Sequence, residues 1–236
     1  MQWDGEGLII GVRRHGESSI IAEVMVAGRG RYLGLVRGGR STRLAATLQA
    51  GNTVQATWRA RLEEHLGTFQ LELLEARAAT LIADRLRLYA SQLVCEHLHL
   101  LPERDPHDRL LSLAVRIMDL EATPLDMGAA VARYELALLE ELGFGLDLDS
   151  CAATGVAYDL THVSPRTGRA VSRAAAEPYV NRLLRLPPFF VGAGEPSPQD
   201  VADAFRLTGH FLDLHVWMPR QADPPAIREM FVELVS

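Results

Sequence analysis

Arginines at 37, 40 and 43 stand around Gly38 and Gly39 in the run Leu-Gly-Leu-Val-Arg-Gly-Gly-Arg-Ser-Thr-Arg, residues 33–43. Glycine takes positive φ without steric cost and lets a ligand come close to the main chain. Guanidiniums on either side would meet that ligand with planar, permanently charged forks suited to phosphate oxygens. The same pattern also fits a strand that ends in a glycine turn with solvated arginines, because a phosphate loop is recognised only in its context.

No other stretch offers a reaction centre. There is no Gly-x-Ser-x-Gly elbow, no phosphate loop ending in Gly-Lys-Ser/Thr, and no Gly-x-Gly-x-x-Gly between a strand and a helix. His97 and His99 are two apart on a predicted helix and point to different faces. His210 and His215 are five apart, which is poor spacing for one metal. Glu140 and Glu141 read as solvated carboxylates on an acidic helix. Two cysteines, Cys95 and Cys151, give neither a disulfide framework nor a complete zinc set, which suits a reducing compartment. The expectation is a protein that is not an enzyme and uses no cofactor and no metal.

Charge is distributed unevenly. Residues 1–62 carry nine arginines against Asp4, Glu6, Glu17 and Glu23, a local +5 within a chain of net −6, so the remainder carries −11. A basic head on an acidic body fits a nucleic-acid-binding module joined to a protein-contacting one. With 48% hydrophobic and 23% charged residues the composition is that of a soluble globular chain. No window approaches 18 uncharged apolar residues, and the first residues lack a basic segment leading into an apolar one. The expectation is therefore a cytoplasmic protein with no membrane contact.

The elements that must position these arginines follow from periodicity. Residues 5–13, 18–27 and 31–37 read as strands, with turns at 15–17 and 28–30. From 53 to 62 alternation is clearest, with Val54, Ala56, Trp58, Ala60 and Leu62 on one face and Thr53, Gln55, Thr57, Arg59 and Arg61 on the other. After a turn at 63–67, residues 68–74 alternate again. Five short strands in this space argue a barrel of the oligonucleotide-binding (OB) type over residues 1–79. From Thr80 the period moves to about 3.6, with helices expected at 80–101, 108–120, 124–142, 172–186, 198–218 and 224–235. Residues 146–171 lose periodicity and read as an irregular insert. The fold class is α+β: an N-terminal five-stranded barrel, then an all-helical domain over 80–236.

On this frame the nucleic-acid track comprises Arg13, Arg14, Arg29, Arg31, Arg37, Gly38, Gly39, Arg40, Arg43, Arg59 and Arg61. Trp58 and Phe69 share faces with aliphatic residues and belong to the core. Tyr32, between two arginines and beside a turn, is the ring best placed to stack on a base.

Several strings together resemble a known family. Gly7-Leu-Ile-Ile through Arg13-Arg-His-Gly-Glu17 and Leu35-Val-Arg-Gly-Gly-Arg-Ser41 look like the N-terminal domain of the bacterial recombination mediator RecO. Arg133-Tyr-Glu-Leu-Ala-Leu-Leu-Glu-Glu-Leu-Gly-Phe-Gly145 and Val163-Ser-Pro-Arg-Thr-Gly-Arg-Ala-Val-Ser172 extend the likeness over most of the chain. The resemblance implies a non-enzymatic, nucleoid-associated DNA-repair factor that binds single- and double-stranded DNA, anneals complementary strands and helps load the strand-exchange recombinase. Its partners by resemblance are RecR, in some cases RecF, and the C-terminal tail of single-stranded-DNA-binding protein. Arg37 and Arg40 fall in the segment that the family uses for DNA, and Arg133 falls where some members receive the acidic tail. A surface or inter-domain ion pair is the other reading of Arg133. The family often carries two Cys-x-x-Cys pairs in the insert, whereas here Thr154 stands where the partner of Cys151 would be and no cysteine follows, so no zinc is expected. Two alternatives share the basic barrel: an OB-fold RNA-binding protein, and an adaptor whose helical domain is the working surface.

Overall fold

The computed structural model describes every residue of the chain except Glu63, Glu64 and Ala193. Two residues of the turn expected at 63–67 thus lie outside the described residues. The chain divides into two compact units, Met1–Leu120 and Glu121–Ser236.

In the first unit, β1 (Gln2–His15), β2 (Ser19–Val26), β3 (Gly30–Val36), β4 (Thr53–Arg59) and β5 (Thr68–Glu75) close into a barrel in the order β1-β2-β3-β5-β4. A one-turn helix, α1 (Thr42–Ala45), links β3 to β4. Inward positions recur at every second residue, as the pleat requires. They build a core of Ile9, Val24, Tyr32, Val54, Trp58 and Phe69 among others. Strands β3 and β5 run parallel and share one register pair, Leu35 with Thr68. Two further groups secure this junction. The Leu35 amide donates to the Gly67 carbonyl at 3.0 Å, and the Trp58 indole N–H donates to the carbonyls of both Leu33 and Leu66, each at 3.2 Å. Gly67 has φ +69, and a Cβ there would stand 2.3 Å from the indole ring.

The helical run expected at 80–101 is two helices, α2 (Ala78–Ala83) and α3 (Arg85–Leu98). Asp84 breaks it. Its backbone is extended and its carboxylate accepts from the amides of Leu86 (2.9 Å) and Arg87 (3.2 Å), an N-cap that starts a new helix. Helix α4 (Asp108–Asp119) completes the unit.

The second unit begins with α5 (Pro124–Glu141), where Thr123 caps and Pro124 fills the first turn. The stretch read as irregular holds a small sheet instead. Strands β6 (Leu160–Val163), β7 (Ala170–Ser172) and β8 (Leu184–Arg185) lie in the order β7-β6-β8. The helix expected at 172–186 shrinks to α6 (Arg173–Ala176) and a 3₁₀ segment, Glu177–Arg182, before β8. Pro178 near the start of that segment lacks an amide hydrogen and favours the tighter turn. Helix α7 (Pro198–Leu212) opens on a Ser197–Asp200 capping box, passes through a π-helical turn (Asp213–Trp217) into α8 (Met218–Arg220), and is followed by α9 (Ala226–Val235).

A buried ion pair ties three of these helices together. The Arg228 guanidinium of the α9 turn donates to both Glu135 oxygens of α5 (2.8 and 3.0 Å) and to the Phe205 carbonyl of α7 (2.9 Å). The Thr208 hydroxyl also donates to Glu135, which is 0% exposed. Burial works against the Arg228 charge, but Glu135 beside it outweighs that and holds the guanidinium more firmly protonated than usual.

Two stability outcomes follow. Gly67→Ala should lower barrel stability by about 2 kcal/mol or more, since positive φ and a clash with Trp58 act together, whereas Gly16→Ala, with φ +60 but open space, should cost only about 1 kcal/mol. Urea unfolding followed by fluorescence of Trp3 and Trp58 separates the two. Arg228→Leu should cost the second unit about 3–5 kcal/mol, because it strands the Glu135 charge in the interior.

Candidate nucleic-acid interface

One row of paired residues crosses the barrel from strand to strand. Arg13 pairs with Ile21, Ile21 with Leu35, Leu35 with Thr68, and Thr68 with Arg59. The row climbs as it goes round the barrel, because Arg59 itself pairs with Gln2 at the start of β1. Arg59 and Arg61 thus lie towards the opposite end of that strand from Arg13, which stands near the β1–β2 rim. Arg14 and Arg37 follow just beyond it, since Arg14 pairs with Ile20 and Ile20 with Val36. Strand β1 runs to His15 and carries these arginines out on the β1–β2 hairpin. Arg13, Arg14, Arg37, Arg40, Arg43, Arg59 and Arg61 are all exposed.

The hairpin tip and the glycine loop are latched together. The Arg40 amide donates to the Ser18 carbonyl at 3.2 Å, and its guanidinium donates to the Glu17 carbonyl. Gly38 has φ +65 with open space around it, so the loop presents bare main chain to solvent. Gly39 is buried instead. A Cβ there would meet Ile20 at 2.6 Å, so its role is to let the loop sit down on β2. Among the described residues Arg13, Arg14, Arg37, Arg43, Arg59 and Arg61 make no ion pair, and their charge is left for a ligand.

Three further sequence-derived candidates fall elsewhere. Arg29 sits in the β2–β3 turn at the opposite end, its guanidinium 5.0 Å from the centre of the Trp3 ring. Arg31 is consumed in the fold: it pairs with Glu23, donates to the Leu101 carbonyl at 3.0 Å, and its side chain is 15% exposed. Tyr32 is 6% exposed, edge-on to Trp3 and Trp58 inside the barrel, and presents no face to a base. Strand parity explains both corrections. Arg31 and Leu33, on either side of Tyr32, point outward, so Tyr32 must point in. Sequence reading missed Arg104, which lies over the Tyr32 and Trp58 rings at 5.5 and 5.9 Å and donates to the His65 carbonyl at 3.1 Å. Nothing local in the sequence signals that contact.

The outer face of β1–β3 is also closed to a ligand. Leu8, Ile10, Ile21 and Met25 point away from the barrel interior yet are buried. The chain after α3 lies against them: His99 faces Gly11, the Arg104 amide donates to the Arg31 carbonyl at 3.0 Å, and Glu103 bridges to Arg31. The exposed cationic surface is the rim.

In the second unit Arg133 projects from α5 over the Phe189 ring at 4.8 Å and donates to the Phe189 carbonyl at 3.3 Å. Its guanidinium is exposed and carries no carboxylate partner among the described residues. Pro187 and Pro188, just before Phe189, line a cavity of about 480 Å³ with Arg173, Arg185, Asp203 and Arg206. Arg206 pairs with Asp203 and Arg173 with Asp159, while Arg185 is unpaired among the described residues. Asp200 lines the cavity too, so apolar walls lie beside three arginines and two carboxylates.

Comparison with known proteins places the chain among relatives along its whole length. The family profile described as "Recombination protein O N terminal" matches residues 1–77, and "Recombination protein O C terminal" matches residues 82–223. A protein of Methylobacterium nodulans named DNA repair protein RecO is 52% identical over 240 residues, covering 99% of this chain and 98% of that protein. Proteins of the same name from Sinorhizobium medicae (50%, covering 98% and 94%) and Agrobacterium fabrum (51%, covering 99% and 92%) are similar over comparable lengths.

The insert does not fit the zinc that the family resemblance implied. Among the described residues no group of three or more potential ligands gathers anywhere. At Cys151 the chain still makes a tight turn, with the Gly155 amide on its carbonyl at 2.8 Å, and a second turn closes from Gly168 onto Ser164 at 2.9 Å. Burial would raise the Cys151 thiol, but hydrogen bonds from Ser172, then Thr154 and Ala153, outweigh it and hold its pKa down to about 6. Packing of Cys151, Val171 and Ala176 with Val156, Leu160 and Leu183 replaces a metal as the core. A strong chelator should therefore leave the thermal unfolding transition unmoved; a downward shift in midpoint on chelation would reveal a structural metal.

Proposed function

The chain belongs to the recombination protein O family, a family of DNA-repair proteins, and from that premise we propose that it acts as a recombination mediator that holds DNA on the arginine rim of its barrel. The observation that carries the proposal is the cluster of Arg13 and Arg14 on the β1–β2 hairpin with Arg37, Arg40 and Arg43 on and after the glycine loop latched to it, the Gly38 main chain open between them. These groups suit phosphate oxygens, and burial of the barrel's aromatic rings leaves no base-reading surface there. Binding on the rim is accordingly driven by release of counterions and tolerant of sequence.

Charge neutralisation is also what strand annealing requires. A rim that masks phosphates on one strand lowers the repulsion felt by its complement, and weak preference among bases leaves the pairing edges free. Single- and double-stranded DNA both offer the phosphates this needs. No covalent step is involved, and the activity is non-enzymatic.

Handover to the recombinase needs protein contacts. Arg133 on Phe189, beside the arginine-lined cavity, supports docking of an acidic peptide with an apolar end, of the kind found at the C-terminus of single-stranded-DNA-binding protein. RecR, with RecF in some settings, completes the proposed partner set.

Binding of labelled single-stranded DNA across a salt series tests the rim. For the wild type, log K against log[salt] should fall by about 0.7 per phosphate engaged. Arg37→Glu/Arg40→Glu should weaken binding and flatten that slope by about 1.4, the share of two phosphates. Equal affinities and slopes for the two proteins would remove DNA from the rim.

A further inference from the structure

Binding a single strand takes a cationic track and aromatic faces on which bases stack. The barrel supplies the first but buries Tyr32, Trp58 and Phe69, and its partly exposed Trp3 ring is packed on Tyr32 and Trp58 with Arg29 over it. The missing faces are in the second unit. Tyr158 is 73% and Tyr179 57% exposed, far beyond what a core or packing role would require.

The two rings flank a single piece of chain. Asp159, next to Tyr158, accepts the Arg173 amide on its carbonyl at 2.9 Å and holds the Arg173 guanidinium on its carboxylate at 3.1 Å. That fixes Tyr158 at the start of α6. The helix then continues through the 3₁₀ segment that carries Tyr179 and ends at Arg182. Six residues at helical rise separate Arg173 from Tyr179, about 10 Å, which matches about three stacked bases at 3.4 Å each.

Charge favours the same ligand. Residues 150–190 contain five arginines against Asp159 and Glu177, within a C-terminal remainder that is otherwise strongly acidic. Arg166 and Arg182 make no ion pair or hydrogen bond among the described residues, and both are exposed.

We infer that the insert is a second single-stranded-DNA surface, on which Tyr158 and Tyr179 stack bases while Arg166 and Arg182 hold phosphates. The inference rests on the DNA-binding reading above and adds a division of labour: the rim binds backbone, and the insert binds bases.

The test uses the full chain and two labelled strands of equal length, thirty thymidines and thirty abasic sites. The abasic strand keeps every phosphate and removes every stacking face. Wild type should prefer the thymidine strand by roughly thirtyfold or more, the low end for two stacked bases. Tyr158→Ala/Tyr179→Ala should erase that preference and leave abasic binding and its salt slope unchanged, while Tyr158→Phe/Tyr179→Phe keeps it. Arg166→Ala/Arg182→Ala should flatten the slope by about 1.4 on both strands. A wild type that binds both strands equally overturns the inference, as does a tyrosine double variant with undiminished preference, even if it loses a protein partner. Failure of the rim reading shows separately, as Arg37→Glu/Arg40→Glu binding the abasic strand like wild type.

Discussion

Closure of the barrel hangs on a short junction, and the geometry of the rim depends on it. Strands β3 and β5 share one register pair, so ladder hydrogen bonding contributes little there. The Trp58 indole compensates by donating across the junction to the carbonyls of Leu33 and Leu66, which satisfies its own buried N–H and ties the two strands together. Gly67 supplies both the left-handed backbone and the space the ring occupies. If the junction opened, Thr68 would leave Leu35, and the end of β3, from which Arg37 and the glycine loop emerge, would lose one of its two neighbouring strands. The seat of the glycine loop is thus conditional on one buried tryptophan.

A second constraint decides where on the barrel a ligand can lie. Residues 99–105 cover the outer face of β1–β3, drawing Arg31 into the packing and burying aliphatic side chains on both sides of those strands. The ligand is left with the rim, whose loops are short and latched by Arg40 to Glu17 and Ser18. Latching limits the entropy lost when phosphates bind, because the loops are already positioned.

Most of this frame was legible in the sequence, and the exceptions have physical causes. Period-two alternation located all five barrel strands, and the glycine pair with its arginines marked the rim. Alternation also held the answer for Tyr32, which shares parity with Gly30, Gly34 and Val36; reading it by its charged neighbours hid that. The break at Asp84 was visible only as an N-cap residue inside an apolar period, a local signal outweighed by the longer pattern. The small sheet of the insert was not legible, because strands of two to four residues are too short to show a period. Contacts such as Glu135 with Arg228 join residues far apart in the chain, and no spacing rule announces them.

Acidity in the body of the protein is no obstacle to binding on the insert. At physiological ionic strength charges are screened over about 8 Å, so a phosphate responds to the side chains within its own neighbourhood and hardly to the net charge of the chain. Around the insert that neighbourhood holds Arg166 and Arg182 unpaired, while Arg169 and Arg173 are matched by Asp147 and Asp159. The pairing is selective: it neutralises Arg169 and Arg173, which brace the insert's turns, and leaves Arg166 and Arg182 free. Once Cys151 is held by hydrogen bonds and packed against Val171 and Ala176, the insert keeps its shape without an ion, and its charge and rings remain available to a ligand.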